Sequence, residues 1–214
     1  MDEALRETCE HVFRYSSAPP PRRHGPRGYS DHSSYKPWLR DEFMFRCVYC
    51  LWRERWEADG DHGFCVDHVQ PRSTSAAQRL DYDNLVYACH TCNATRRDVP
   101  LPMDPSNDPP GHHLQILGDE RIEGTSQAGA TVVELCRLNR PLLVAARRRI
   151  IALIAVLQAS DDPEALLALR DLLAFPPDLP DLAALRPPAG NARPEGIADC
   201  FFARRHRGEL ADAY

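Results

Sequence analysis

The chain has 214 residues, 43% of them hydrophobic, with 31 acidic against 26 basic side chains and a formal net charge of -5. That balance excludes a strongly basic nucleic-acid binder, so any grip on phosphate has to come from a local patch. The longest apolar run, at 150–157, is far short of the ~20 residues that cross a bilayer, and the acidic start Met1-Asp-Glu-Ala lacks the pattern of a signal peptide; the expectation is a cytoplasmic protein with no membrane contact.

In chain order, residues 1–37 read as a flexible N-terminal arm. A short helix fits 1–15, and 16–37 is rich in Pro, Ser, Gly and Arg. Amphipathic character resumes at Trp38, and 38–102 form the motif region. There, Phe64 to Val69 is rich in β-formers and predicts a strand, 83–88 a second one, and the residues after Cys92 a helix stopped by Pro100 and Pro102. Residues 103–127 are a proline-rich linker with a hairpin expected across 114–123, around Gly118-Asp119. In the helical region, 128–175, Thr131 is the expected N-cap of a short helix. Asn139 and Pro141 start a long helix to about Gln158, and Asp161 or Asp162 before Pro163 caps a third. Of the consecutive Arg147, Arg148 and Arg149, ~100° apart around a helix, no more than two share a face; one or two are expected to face DNA and the rest to pair with acids. Residues 176–214 are a proline-rich tail with a terminal helix between Gly196 and Tyr214.

Eight cysteines include two Cys-x-x-Cys pairs, Cys47/Cys50 and Cys89/Cys92. In a reducing compartment such pairs hold metal rather than disulfides. Four thiolates suit tetrahedral Zn²⁺, and four protein ligands leave no open position, so the role is structural. The 38 residues between Cys50 and Cys89 exceed the spacing of a zinc ribbon and leave room for an inserted hairpin. His90, between two of the ligands, is an alternative ligand; Cys9, Cys65, Cys136 and Cys200 have no paired partner.

Inside this frame lies Val66-Asp67-His68-Val69. Neighbours on a strand point to opposite faces. From one place, Asp67 would therefore ligate a divalent metal while His68 serves a water molecule as general base. An ordinary imidazole, titrating near ~6.5, is mostly neutral at physiological pH, as a base must be.

The pattern Cys47-Val-Tyr-Cys50, Asp67-His68-Val-Gln-Pro71-Arg72-Ser73, Asp83-Asn84-Leu85-Val86 and Cys89-His-Thr-Cys92-Asn93-Ala-Thr-Arg96 resembles the HNH (ββα-metal) nuclease family in its four-cysteine zinc variant. The match spans about a quarter of the chain; Gln70-Pro71 departs from it, where the family often has an aliphatic residue. The resemblance implies an α+β fold, with a ββα-metal core stapled by zinc and followed by a helical region. It implies a catalytic set of Asp67, His68, Asn84 and Asn93. In it Asn93 is the second ligand of Mg²⁺ or Mn²⁺, Asn84 a support for the loop around His68, and Arg96 a phosphate contact, with Arg72 and Arg97 as weaker ones. The implied reaction is DNA cleavage leaving 5′-phosphate and 3′-hydroxyl ends. The run from Gly124 to Arg149 also looks like the segment trailing some stand-alone bacterial HNH proteins, several of which act beside an ATPase in phage defence. A protein partner such as an ATPase, or a second copy of the chain, is therefore expected. The rival reading is a non-catalytic zinc module that contacts DNA or protein.

Overall fold

The computed structural model describes residues 3–18, 20, 22–71, 73 and 77–214. At its centre β1 (Phe64–His68) pairs antiparallel with β2 (Leu85–Cys89), with Phe64 opposite Cys89 and His68 opposite Leu85. Both strands are short runs of residues that fit a pleated, buried surface. All five residues of β2 are buried, which requires cover on both faces of the strand. Helix α2 (Lys36–Glu42) packs on β2 and brings in Trp38 and Leu39, both fully buried. Helix α3 (His90–Arg96) leaves β2 without a linker and folds back on both strands. The order is strand, loop, strand, helix, in an α+β molecule.

A second antiparallel hairpin, β3 (Leu114–Ile116) and β4 (Ile122–Gly124), leads into α4 (Gln127–Leu135). The close approach of β4 to α4 demands glycine: a Cβ on Gly124 would lie 2.1 Å from the Ala130 nitrogen. The cap of α4 differs from expectation. Ser126, in extended backbone at the hairpin exit, accepts from the Gly129 N–H (3.1 Å), whereas Thr131 lies inside the helix and donates to the Gln127 carbonyl (2.9 Å). Helices α5 (Pro141–Gln158) and α6 (Pro163–Leu173) start at the expected prolines, α6 with Asp162 as its cap. A short α7 (Phe201–His206) lies within 196–214.

The two ends of the chain depart from the reading as arm and tail. Arg22 donates to the Leu85 carbonyl (2.8 Å), and buried His24 meets Asp41 at 2.9 Å. Gly25 bonds Asn191 and Ala192 across a β-bridge formed by Pro26 and Asn191. Asp41 of α2 also takes Arg23 (2.7 Å) and the backbone N–H of Phe201 (2.7 Å), so one buried carboxylate joins both ends of the chain to the central unit. On the C-terminal side, Phe45, Phe175, Leu179 and Phe201 form an apolar cluster capped by Tyr214, whose ring stacks on Phe175 at 4.3 Å. Composition misleads here because these segments are held by specific polar partners and a few aromatics rather than by apolar content.

The arginine triplet of α5 splits three ways. Arg147 is fully buried and donates to the carbonyls of Glu120 and Leu138, Arg148 pairs with the Glu120 carboxylate (2.8 Å), and Arg149 is exposed. Arg147 thus meets carbonyls where an acid was expected.

Candidate functional site

Cys47 and Cys50 sit on a tight turn before β1. The Cys47 N–H donates to the Trp52 carbonyl (2.8 Å), and Leu51 closes the turn at φ +62. Cys89 ends β2 and Cys92 lies in the first turn of α3, a three-residue offset that sets both thiols on one side. The four Sγ atoms lie within 4.8 Å of one another, with Cys50 and Cys89 at 3.9 Å, and all four residues are buried. Tetrahedral zinc with bonds of about 2.3 Å would space its sulfurs by about 3.8 Å, so the site fits a structural zinc ion. His90 is exposed and stands outside the cluster. Burial pushes the Cys47 thiol well above its ordinary value, and deprotonation by a bound cation would remove that cost. The Arg140 guanidinium approaches Cys92 Sγ at 3.7 Å and supplies positive charge beside the thiolates.

A cleft of about 490 Å³ is lined by Asp67, His68, Asn93, Arg96 and Arg97, together with His32. His68 Nε2 lies 3.0 Å from the Arg79 carbonyl oxygen. A carbonyl only accepts, so Nε2 carries the hydrogen and the neutral ring has its lone pair on Nδ1. The loop that presents Arg79 is fastened by Asn84. Its Nδ2 donates to the carbonyls of Gln70 (3.0 Å) and Gln78 (3.1 Å), and its Oδ1 accepts from the Gln70 N–H (2.8 Å). Asn93, on α3 next to the last cysteine, donates Nδ2 to Cys65 Sγ (3.2 Å), leaving Oδ1 as its acceptor. Burial pushes the Cys65 thiol up to about 12, so it stays protonated at neutral pH and holds its place in this contact.

Asp67 is more heavily engaged than its sequence role implies. Oδ1 accepts from the His68 N–H (2.8 Å) and Arg96 Nη2; Oδ2 accepts from the Tyr49 hydroxyl (2.8 Å) and Arg96 Nε (3.0 Å). Arg96 is buried and also donates to the carbonyls of His68 (2.7 Å) and Val99 (2.6 Å). Its guanidinium is therefore committed to Asp67 rather than presented to a phosphate. Asp67 and Asn93 offer the oxygen donors a hard divalent ion needs, and in that respect the residues fit Mg²⁺ or Mn²⁺. An ion taking Asp67 has to replace one of its present donors, and Arg96 is the one whose charge it would substitute. Arg97 is exposed on the cleft in a left-handed backbone (φ +58, ψ -148), a conformation that costs energy in a non-glycine residue. Arg72 lies outside the described residues.

Sequence reasoning overlooked four contributors: Tyr49, Cys65, Arg140 and His32. Tyr49 occupies an interchangeable position of the first Cys-x-x-Cys turn, and neither Cys65 nor Arg140 belongs to a motif. For His32 a signal existed, because Asp31-His32 repeats the dipeptide Asp67-His68.

Compared with known proteins, residues 47–98 match the HNH endonuclease family model. No curated protein and no solved structure matches the chain.

Proposed function

We propose that this chain, with the HNH unit of residues 47–98 as its catalytic part, hydrolyses phosphodiester bonds in DNA. The observation that carries the reading is the bond from His68 Nε2 to the Arg79 carbonyl, in the cleft that Asn93 also lines. It favours the tautomer in which Nδ1 takes a proton from water as that water attacks phosphorus, a contribution worth roughly 10²- to 10⁴-fold in rate. Asn84 holds the loop that sets this tautomer. Asp67 and Asn93 would hold a divalent cation, Mg²⁺ or Mn²⁺, which when bound supplies Lewis-acid stabilisation of phosphate charge. Arg97, on the cleft rim, is the phosphate contact the geometry favours over Arg96. The zinc cluster sets where α3, and so Asn93, begins. A partner, an ATPase or a second copy, and a role in phage defence complete the proposal; they rest on the resemblance of the helical segment alone.

The engagement of Asp67 by Arg96 favours the second reading, a zinc module without catalysis. Plasmid cleavage with Mg²⁺ or Mn²⁺ separates the two. The expected result is nicking by wild-type protein and at least a hundredfold loss in His68→Ala, with zinc content unchanged by elemental analysis. Equal rates for the two proteins would refute His68 as the base, and no cleavage by either would support the non-catalytic reading.

A further inference from the structure

The cleft holds a second imidazole that comes from outside the HNH segment. His32 opens a 3-10 turn, His32–Tyr35, and its ring centre lies 5.0 Å from that of His68 at an interplanar angle of 50°. The turn is firmly seated. Tyr35 is buried and donates to the Leu80 carbonyl (3.0 Å), and the turn packs on β1. Asp31 caps it by accepting from the Ser33 N–H (2.8 Å), and the same carboxylate oxygen lies 3.2 Å from His32 Nδ1. That cap bond, chiefly, holds the Asp31 carboxyl below its ordinary range, so the acceptor beside His32 Nδ1 is an ionised carboxylate at neutral pH.

The charges around the cleft give His32 a task. Asp67 and Arg96 neutralise one another, and Arg97 and Asp98 sum to zero. Among the described lining residues Arg97 is then the side-chain cation not held by a buried carboxylate, and it stands on the rim, whereas His32 stands beside His68. In the reading above His68 accepts a proton, so a donor to the phosphate on this side of the cleft has to come from the second imidazole.

We propose that His32 is a phosphate-binding residue of this site, its imidazolium donating to a non-bridging oxygen of the phosphodiester whose attacking water His68 activates. The proposal rests on the nuclease reading above. Two rings 5.0 Å apart can serve one phosphate group, His32 donating to its oxygen at about 2.8 Å while His68 accepts a proton from the attacking water.

The test compares wild type, His32→Gln and His32→Arg as full-length proteins, with zinc content and circular dichroism as controls for folding. Binding of a fluorescent DNA duplex is measured across a salt series in a His68→Ala background. The expected outcome for His32→Gln is a KM about tenfold higher, with kcat less affected and an equal loss of affinity in the binding assay. The dependence of log affinity on log salt should fall by about one phosphate contact, and His32→Arg should recover most of both. Unchanged KM and affinity in His32→Gln would overturn the proposal, as would equal impairment in the Gln and Arg variants, which marks a purely structural role. Wild type that cuts no DNA would count against the nuclease reading itself, and the binding series would still decide whether His32 holds phosphate.

Discussion

The proposed reaction sets two requirements on Asp67. A metal ligand needs an available oxygen, and a buried carboxylate needs donors on every side. Here Arg96, Tyr49 and the His68 N–H meet the second requirement completely. Arg96→Gln therefore has two opposed consequences. It removes the charge that offsets a buried carboxylate, which should cost about 3 kcal/mol of stability, read by urea unfolding. It also leaves Asp67 open to a cation, so Mn²⁺ affinity, followed by electron paramagnetic resonance, should rise severalfold over wild type. Unchanged or weaker Mn²⁺ binding in a folded variant would mean that Arg96 does not compete with the ion.

At the scale of elements, the join between the zinc cluster and α5 is electrostatic as well as apolar. A zinc ion with four thiolates carries a net charge of two minus. Arg140, at the N-cap of α5, approaches Cys92 Sγ, and the fully buried Arg147 follows about two turns on along the same side of the helix, with carbonyls as its hydrogen-bond partners. A hydrogen bond to a thiolate draws off electron density and lowers its reactivity toward oxidants and chelators. Arg140→Gln is thus expected to speed zinc release to a colorimetric chelator by several-fold, and Arg140→Lys to lie between it and wild type. A release rate indifferent to both substitutions would remove Arg140 from the metal site. The same contact gives α5 a reason to dock on the HNH segment, beyond its four buried residues Leu143, Val144, Arg147 and Ile154.

For the whole molecule, one apolar cluster runs from Leu5 and Cys9 of α1 (Glu3–Glu10), through Trp38 and the central sheet, to Leu169 and Leu173 of α6. The sequence reading set 38–102 apart as the nuclease domain. An isolated 38–102 fragment would lose the Asp41 partners Arg23, His24 and Phe201, and the bond from Arg22 to Leu85. It is expected to unfold without cooperativity in urea, to expose the faces that α1 and α6 cover, and to cut DNA poorly even with zinc added. A soluble, cooperatively folding fragment with full activity would show that the flanking segments are dispensable. Leu142, Val156 and Leu167 are exposed on α5 and α6, so the outer side of the helical region keeps apolar surface that the fold leaves uncovered.

The features legible in the sequence alone are those written within a few residues of chain. The two Cys-x-x-Cys turns bring their cysteines together locally, and the adjacency of Asp67 and His68 sets a carboxylate and an imidazole on one strand. Helix starts at Pro141 and Pro163 follow from proline's fixed φ and missing N–H, whatever surrounds them. Only the tertiary structure decided the rest, since it depends on which distant side chains meet. Arg96 reaches back 29 positions to Asp67, His32 comes 36 positions forward to the face of His68, and Asp41 gathers both ends of the chain. None of these pairings leaves a periodic or compositional trace, because a guanidinium looks the same in sequence whether solvent, a phosphate or a buried carboxylate holds it.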